Sequence, residues 1–184
     1  MNKLFMVLVG CRPKGRFTEQ HDVFFGIGSK LSDLIPHMLE FWPEAAGNLH
    51  VDGWREVNWV DGYSVTVVEK TPIENPAQLF FINLGGYKPN EFEEFHYKIL
   101  AAASDKGTAI QTSRQTSFYK HTGFKGANSH VDDKYGIDVD DVFEIQDMLS
   151  PVFKNRYSLQ LTKTTEPSIE DEIHLGYFKL SNLD

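Results

Sequence analysis

The 184-residue chain is long enough for one large or two small domains with a buried core. Its 26 acidic and 18 basic residues give a net charge of -8, which disfavours nucleic acids as partners. No apolar run approaches the roughly 18 residues that a membrane-spanning helix needs, and the single cysteine, Cys11, suits a reducing compartment. We therefore expect a soluble cytoplasmic protein that has no nucleic acid and no membrane as partner.

The chain contains an internal repeat. Residues 4–29 align without gaps on residues 79–104 at a constant offset of 75, and seven of the 26 aligned positions are identical. The identical pairs are Leu4/Leu79, Phe5/Phe80, Gly10/Gly85, Phe17/Phe92, Glu19/Glu94, His21/His96 and Ser29/Ser104. Further along, NLHVD (48–52) matches NSHVD (128–132). This pattern predicts a tandem duplication.

The first copy is predicted to be a β-α-β-β unit. The apolar run LFMVLV, which ends at Gly10, is typical of a core strand. Apolar residues then recur with helical spacing, and Pro36 is expected to kink or end the resulting helix. The helical stripe is Phe17, Phe24, Ile27, Leu31 and Leu34. Asp61-Gly62 between two β-type runs predicts a hairpin.

The second copy is predicted to repeat this order. The run LFFINL ends at Gly85, and Asn90 with Glu93 forms a capping box at the start of a second helix. The stripe of this helix is Phe92, Phe95, Ile99 and Ala102. An insertion at 142–156, VFEIQDMLSPVFKNR, predicts a short additional helix before the last strand.

Together these patterns predict an α+β fold in which two β-α-β-β copies are related by pseudo-twofold symmetry. The predicted segments are a first repeat at 1–71, a linker at 72–78, a second repeat at 79–165 and a peripheral C-terminal tail at 166–184. We expect the two repeats to pack as one compact globule.

The runs GCRPKGRFTEQHDVFFGIG, LHVDGWREVNWVDGY and LFFINLGGYKP resemble the bacterial family catalogued as domain of unknown function 1543. The resemblance covers roughly residues 3–165. It implies one or two copies of a small domain and no assigned activity, so no catalytic residue is carried over from it.

A basic loop follows the first strand. Arg12, Lys14 and Arg16 cluster where a strand is predicted to enter a helix N-terminus, a place that favours anions. They lie between Gly10 and Gly15, but the residues that a Walker loop requires after its second glycine are missing. The loop is therefore either a site for a small anion or, as the more frequent case, a solvated basic segment.

Histidine and aspartate residues recur in both copies. His21 and His96 occupy equivalent positions in the predicted helices, and each HVD stretch supplies a histidine and an aspartate on one strand face. These stretches contribute His50, Asp52, His130 and Asp132. Such groups can act in acid-base chemistry or bind a metal, but they can equally hold turns through hydrogen bonds.

The predicted helix places His21 and His50 at its opposite ends, on the order of 20 Å apart. One copy could not then bring its own histidines together, so a site would have to form between copies. Spacings such as H-E-x-x-H are absent, C-x-x-C is impossible with one cysteine, and we assign neither a metal nor a cofactor.

Three functions are compatible with the sequence. The first is a binding module that holds a small, anionic ligand or a protein between the repeats. The second is a structural scaffold that forms homodimers. The third is a metal-assisted or acid-base hydrolase that uses the histidine and aspartate set.

Overall fold

The computed structural model of the protein describes residues 1–87, 90–114, 137–165 and 170–184, with the backbone alone for residues 137–140. It is a mixed α/β structure that consists mostly of strands, with few helices. The strands are β1 Lys3–Cys11, β2 Gln20–Gly28, β3 His50–Glu56, β4 Trp59–Val60, β5 Tyr63–Glu69, β6 Gln78–Tyr87, β7 Glu94–Ala103, β8 Ile137–Glu144, β9 Tyr157–Lys163 and β10 His174–Lys179. The α-helices are α1 Ile35–Phe41, α2 Lys106–Ser113, α3 Ile145–Met148 and α4 Pro151–Arg156. No helix in the described ranges has the length and apolar character needed to cross a membrane.

The chain forms two compact units. The first contains Met1–Glu74 and Leu149–Asp184, and the second contains Asn75–Met148. The first unit has a four-stranded sheet in the order β10-β3-β1-β2 and a three-stranded sheet in the order β4-β5-β9. The second unit has one sheet in the order β7-β6-β8. The first predicted repeat thus lies within the first unit, whereas the second predicted repeat is divided between the two.

The helix predicted after the first strand is wrong, because residues 20–28 form strand β2. Val23–Gly28 are buried without interruption, so this segment has no polar face to present to solvent. A short apolar run fits a fully buried strand as well as a buried helix, and its two glycines disfavour the helix. Gly26 is required by packing, since a Cβ there would lie 2.7 Å from Cε1 of Phe24. Phe17, the first residue of the predicted stripe, is 99% exposed.

Helical structure begins later than predicted in this part of the chain. A 3-10 helix spans Leu31–Leu34 and leads directly into α1. Pro36 lies in the first turn of α1, where a backbone N–H would have no partner within the helix. The proline therefore favours the start of this helix and does not end it. Asp33 fixes the preceding turn by accepting hydrogen bonds from the backbone N–H and hydroxyl of Ser29.

The second predicted helix is also a strand. β7 pairs antiparallel with β6 along its whole length, from Gln78 opposite Ala103 to Tyr87 opposite Glu94. The alanine-rich sequence has a high helix propensity, which the pairing with β6 overrides. The helix of this unit, α2, begins afterwards at Lys106, with the Asp105 side chain accepting a hydrogen bond from the Thr108 N–H. The hydrophobic core of the second unit consists of Phe80, Ile82, Leu84, Ala101, Ala103, Ala109 and Val142.

The hairpin predicted at Asp61-Gly62 is confirmed. Val60 pairs with Tyr63, and both turn residues have positive φ, 50° at Asp61 and 79° at Gly62, as a two-residue turn requires. The helix predicted within 142–156 is present as α3 and α4, while residues 142–144 belong to β8.

The C-terminal tail is not peripheral. Residues 174–179 form β10, which pairs with β3 at the edge of the four-stranded sheet. Upstream of β10, the Asp171 carboxylate accepts hydrogen bonds from the backbone N–H groups of Asn58 and Trp59. Strand β10 was not predictable from the sequence, because a short, mostly exposed edge strand has no distinctive periodicity.

Glu144 provides a stability prediction for the second unit. Burial, and to a lesser extent the Asp147 carboxylate, raises the pKa of Glu144 above its ordinary value. The folded state therefore favours the protonated form of Glu144. At a pH above the raised pKa the ionised side chain lowers the free energy of unfolding, whereas at a pH below its ordinary pKa the side chain is protonated in both states and has no such effect. We expect Glu144→Gln to increase the free energy of unfolding by up to about 1 kcal/mol near pH 7, a value limited by solvent screening, and to give no increase near pH 3.

Urea unfolding of the full chain at both pH values checks this expectation. Glu93→Gln, which removes an exposed carboxylate of the same unit, is the control. An equal gain in the two variants, or a gain that persists in acid, would contradict the assignment to Glu144.

Candidate metal centre in the first unit

A glycine at the centre of the four-stranded sheet separates two histidines. Gly10 in β1 pairs with His21 in β2 on one side and with His50 in β3 on the other. Residues in register across neighbouring strands place their side chains on the same sheet face. Because Gly10 has no side chain, the two imidazoles can approach each other across it.

Carboxylates from two different elements complete this cluster. The Oδ2 atom of Asp52 lies 3.2 Å from Nε2 of His21 and 3.2 Å from Nε2 of His50. The Oε1 atom of Glu19 lies 3.1 Å from Nε2 of His50, and its Oε2 atom lies 3.9 Å from Nε2 of His21. Both carboxylates therefore lie within 4 Å of the Nε2 atoms of both histidines.

The sheet is adapted to this arrangement by irregular pairing. Leu8 pairs with Gly53 and Val9 with Val51, so Asp52 is an extra residue that forms a β-bulge in β3. A bulge redirects a side chain out of the regular alternation. The neighbouring strand β10 is irregular at the same level, and Tyr177 lies there with its ring 4.4 Å from the His50 ring. Tyr177 thereby limits the movement of His50.

The cluster has a buried and an exposed side. The His50 side chain is 5% exposed and that of Asp52 is 22% exposed, whereas His21 and Glu19 are 40% and 45% exposed. Within the described part of the chain, neither Nε2 of His50 nor Oδ2 of Asp52 has a hydrogen-bond partner, although both atoms are shielded from solvent. Their 3.2 Å approach thus lacks the angle of a hydrogen bond. Buried polar atoms without partners are costly, and a cation between these two would satisfy both.

The donor set fits a divalent transition metal. Glu19, His21 and His50 offer one ligand atom each within 4.8 Å of one another. Metal–nitrogen and metal–oxygen bonds of about 2.0–2.2 Å in tetrahedral geometry place ligand atoms roughly 3.4 Å apart. The Nε2 atoms of both histidines lie 3.2 Å from Oδ2 of Asp52, close to this value, and they lie 3.1 and 3.9 Å from the two different oxygens of Glu19.

Gly10 leaves the space that this cluster occupies. A Cβ at Gly10 would lie 2.4 Å from Oδ2 of Asp52, 2.6 Å from Nε2 of His50 and 3.0 Å from Cδ2 of His21. Glycine in the middle of a strand is unfavourable for folding and often marks a close approach of this kind. The side-chain atoms that converge here are therefore incompatible with any larger residue at position 10.

Cys11, next to Gly10, is not part of the cluster chemistry. It is 1% exposed, and burial, aided by the carboxylates of Glu19 and Glu44, raises the pKa of its thiol. The thiol form is neither a nucleophile nor a metal ligand. Cys11 is a packing residue, as its small counterpart Gly86 in the alignment suggests.

The structure brings together His21, His50 and Asp52 among the residues that the sequence analysis selected. Arg12, Lys14 and Arg16 lie on the exposed loop between β1 and β2, and His96 lies on β7 of the second unit. His130 and Asp132 fall outside the described residues.

The expectation that one copy cannot gather its own histidines is wrong. It assumed a helix between His21 and His50, but β2 returns antiparallel to β1 and places His21 beside Gly10. The predicted helix also placed Glu19 and His21 on different faces, because side chains two residues apart point in different directions on a helix. On an extended chain the same two side chains lie on one face.

Three contributors were missed, namely Glu19 as a donor, Gly10 as the space between the imidazoles and Tyr177 as the cover of His50. A strand interpretation would have found the first, because E-x-H at 19–21 and H-x-D at 50–52 both place their polar residues on one face. The mid-strand glycine was a second available signal. Tyr177 had none, since β10 was not predicted.

Comparisons with known proteins show the fold and a family resemblance. The structure is similar to the crystal structure of a protein Il1583 from Idiomarina loihiensis, with a TM-score of 0.64, 23% sequence identity and 98% of each chain covered. At this identity the likeness shows a common fold alone. A search of curated proteins found no match. The family model Domain of Unknown Function (DUF1543) matches residues 16–67, which include Glu19, His21, His50 and Asp52, so the family resemblance seen in the sequence is confirmed for this segment.

Proposed function

We propose that the first unit binds one divalent transition-metal ion through His21, His50, Glu19 and Asp52, and that the ion holds a small anionic ligand. The observation that carries this proposal is the pair of buried atoms, Nε2 of His50 and Oδ2 of Asp52, that converge without hydrogen-bond partners in the described chain. A cation between them would satisfy both atoms.

The ligand types favour particular ions. Imidazole nitrogen suits zinc and iron, and an ion held by two histidines and two carboxylates can accept a fifth ligand when its coordination number rises from four to five. The exposure of His21 and Glu19 puts this fifth position on the solvent side. A small molecule can therefore reach the ion without a change in the sheet.

The basic loop favours an anion as this further ligand. Arg12, Lys14 and Arg16 are exposed, and no carboxylate of the described residues forms an ion pair with them. Arg16 precedes Glu19 by three residues, which an extended chain spans in about 11 Å at most. Positive charge at this distance, about one Debye length, raises the local concentration of anions at the cluster.

Metal analysis of protein purified without an affinity tag tests the proposal. We expect about one equivalent of Zn²⁺ or Fe²⁺ per first unit, held by residues that must be deprotonated, so the affinity falls in acid. Titration of inorganic phosphate into metal-loaded protein should give binding that metal-free protein lacks.

Neutralising the basic loop separates the two parts of the proposal. The variant Arg12→Ala/Lys14→Ala/Arg16→Ala should keep its metal content but bind phosphate at least about tenfold more weakly, with a reduced salt dependence. Lys154→Ala/Arg156→Ala, which removes positive charge from α4, is the control. Protein without bound metal after dialysis against either ion would refute the metal centre, and equal phosphate binding in all variants would refute the role of the loop.

A second candidate function is hydrolysis of a phosphate ester, and the exposed carboxylate of Glu19 favours it. Here His21, His50 and Asp52 would hold the ion, the ion would lower the pKa of a bound water, and Glu19 would accept the proton of that water. The water oxygen would form a bond to phosphorus, the bond to the leaving oxygen would break, and Glu19 would return the proton to that oxygen. Turnover of a nitrophenyl phosphate that Glu19→Gln abolishes without loss of metal would establish this function in place of binding alone.

The pairing registers of the two units support a tandem duplication. In β1/β2, Lys3 is opposite Gly28, and in β6/β7, Gln78 is opposite Ala103, which is the same pair shifted by 75 residues. β3 and β8 also contain a bulge at equivalent positions. In the first unit the register shifts between Leu8 and Val9, and in the second it shifts between Asn83 and Leu84, which are 75 residues further along the chain. An inherited common unit accounts for both agreements.

A further inference from the structure

We infer that the ligand of the proposed metal centre is an aromatic anion, whose charged group binds the ion and whose ring lies on the exposed side of Tyr177. This inference rests on the proposed function and adds the ligand class of the same site. The residues that support it belong mainly to strand β10, which the metal centre itself uses only as a cover for His50.

Strand β10 is irregular beside the metal centre. Its register against β3 shifts between Leu175 and Phe178, so Gly176 and Tyr177 lie opposite the single residue Asp52. Gly176 has a φ of 151°, a backbone conformation that residues with a side chain rarely adopt. A bulge of this kind redirects the side chain next to it. The fold thus uses a glycine to bring the Tyr177 ring to the cluster.

The Tyr177 ring covers His50 and is at the same time open to solvent. Its centre lies 4.4 Å from the centre of the His50 ring, yet the residue is 65% exposed. The side of the ring that faces away from His50 can therefore contact a ligand. An ion bound to Nε2 of His50 at about 2.0–2.1 Å would lie no more than about 8 Å from the centre of the Tyr177 ring.

Two leucines extend this surface on the same face of the sheet. Leu8 in β1 and Leu175 in β10 both pair with Gly53 in β3, and residues in register share a sheet face. Gly53 has no side chain, and a Cβ there would lie 3.0 Å from Cδ2 of Leu175 and 4.0 Å from Cβ of Leu8. Leu8 precedes Gly10 by two residues, so this apolar surface begins about 7 Å from the cluster.

The surroundings of the cluster combine positive charge with an apolar surface. The basic loop leads into β2 on the side of His21, and the exposed Lys179 pairs with His50. Both favour an anionic group at the ion. Leu175 and Tyr177 are uncharged, and exposed apolar side chains beside a polar site are typical of a surface that binds a ligand. Inorganic phosphate has no apolar part and would leave this surface uncovered.

An aromatic group suits this surface better than a flexible chain. Tyrosine pairs with a second ring in offset or edge-to-face arrangements, and a rigid ring loses less freedom on binding than an alkyl chain. The limit of about 8 Å between the ion and the Tyr177 ring requires a ligand ring that is attached to the charged group directly or through a few atoms. The ligand class is therefore a small aromatic anion.

Two phosphonates that differ in the group attached to phosphorus test the inference. Phenylphosphonate and methylphosphonate resist hydrolysis, so the test reports binding whether or not the protein hydrolyses phosphate esters. At a pH where both are dianions, isothermal titration into the Zn²⁺-loaded full chain should give at least about tenfold tighter binding of phenylphosphonate, because only this ligand has a ring to pair with Tyr177.

The ratio of the two affinities within one variant separates the aromatic contact from changes at the ion. Tyr177→Ala should reduce the ratio to less than about threefold, whereas Tyr177→Phe keeps the ring and should preserve the ratio. Leu175→Ala should lower it by about two- to threefold. Val152→Ala, which truncates an exposed apolar residue of α4, is the control and should bind both phosphonates as the parent does. The Zn²⁺ content of each variant is measured, so that a loss of the ion is recognised.

The outcomes distinguish this inference from the proposed function. If the chain binds Zn²⁺ and phosphate but binds the two phosphonates equally, or if Tyr177→Ala keeps the tenfold preference, the aromatic ligand class is refuted and the metal centre stands. If the metal-free chain prefers phenylphosphonate and Tyr177→Ala removes this preference, while Zn²⁺ is never bound, the aromatic surface stands and the metal centre is refuted. A chain that binds neither Zn²⁺ nor either phosphonate would refute both.

Discussion

His50→Ala is expected to weaken Zn²⁺ binding by more than about 100-fold, because removal of a residue that only supports a ligand already costs about 10–100-fold. His50 is the buried anchor of the cluster, with Glu19 and Asp52 atoms 3.1 and 3.2 Å from its Nε2. No other histidine of the first unit could replace it without moving a strand. Isothermal titration with Zn²⁺ measures the effect, and His50→Gln repeats the test with a side chain closer in size.

His174→Ala is the matched control for this variant. His174 lies on the adjacent strand β10, where its ring stacks on Trp54 at 3.9 Å and makes no contribution to the cluster. Its removal should change Zn²⁺ affinity by less than about threefold, within the noise of a surface substitution. Zn²⁺ binding that survives in His50→Ala, or that is lost equally in both variants, would show that the ion is not held where we place it.

Gly10→Ala should abolish metal binding with the addition of a single methyl group. The new Cβ would lie within 2.4 Å of Oδ2 of Asp52 and 2.6 Å of Nε2 of His50, so both donors must move. His50 cannot move freely, because it is buried and the Tyr177 ring lies against it. We also expect a loss of about 1–3 kcal/mol in the free energy of unfolding, the usual cost of overpacking.

Gly53→Ala provides the comparison, since Gly53 is also a strand glycine of the same sheet. A Cβ there would meet Cδ2 of Leu175 at 3.0 Å, and this side chain is 75% exposed and free to turn away. The control should therefore retain metal affinity and lose little stability. If Gly10→Ala binds Zn²⁺ like the parent, the space above Gly10 has no part in the site.

The sequence predicted the elements whose signals are local. The runs before Gly10 and Gly85 are strands, and Asp61-Gly62 makes a hairpin, because an apolar run and a turn dipeptide keep their preference in most surroundings. The segments after these strands were assigned to helices, and both are strands. Val23–Gly28 is apolar enough for either structure, and only its burial between the other elements of the first unit selects β2.

The residues of the candidate site were recognised in part, but not their arrangement. His21, His50 and Asp52 stood out by type and recurrence, and the assumed helix then placed the two histidines far apart. A change from a 3.6-residue to a two-residue period moves Glu19 and His21 onto one face and carries His21 back alongside Gly10. The wrong prediction of a helix at residues 20–28 was therefore also the reason why the two histidines were predicted to lie far apart.

By itself, the sequence determined which side chains are available and that Gly10, Glu19 and His21 recur 75 residues later, because composition and order are independent of folding. Tertiary structure decided that β9 and β10 join the first unit, since strand pairing between segments about 90 to 130 residues apart leaves no local trace. It also decided the arrangement of the candidate metal centre. Three strands must lie side by side, with a bulge at Asp52 and a bare Cα at Gly10, before these four polar side chains come together.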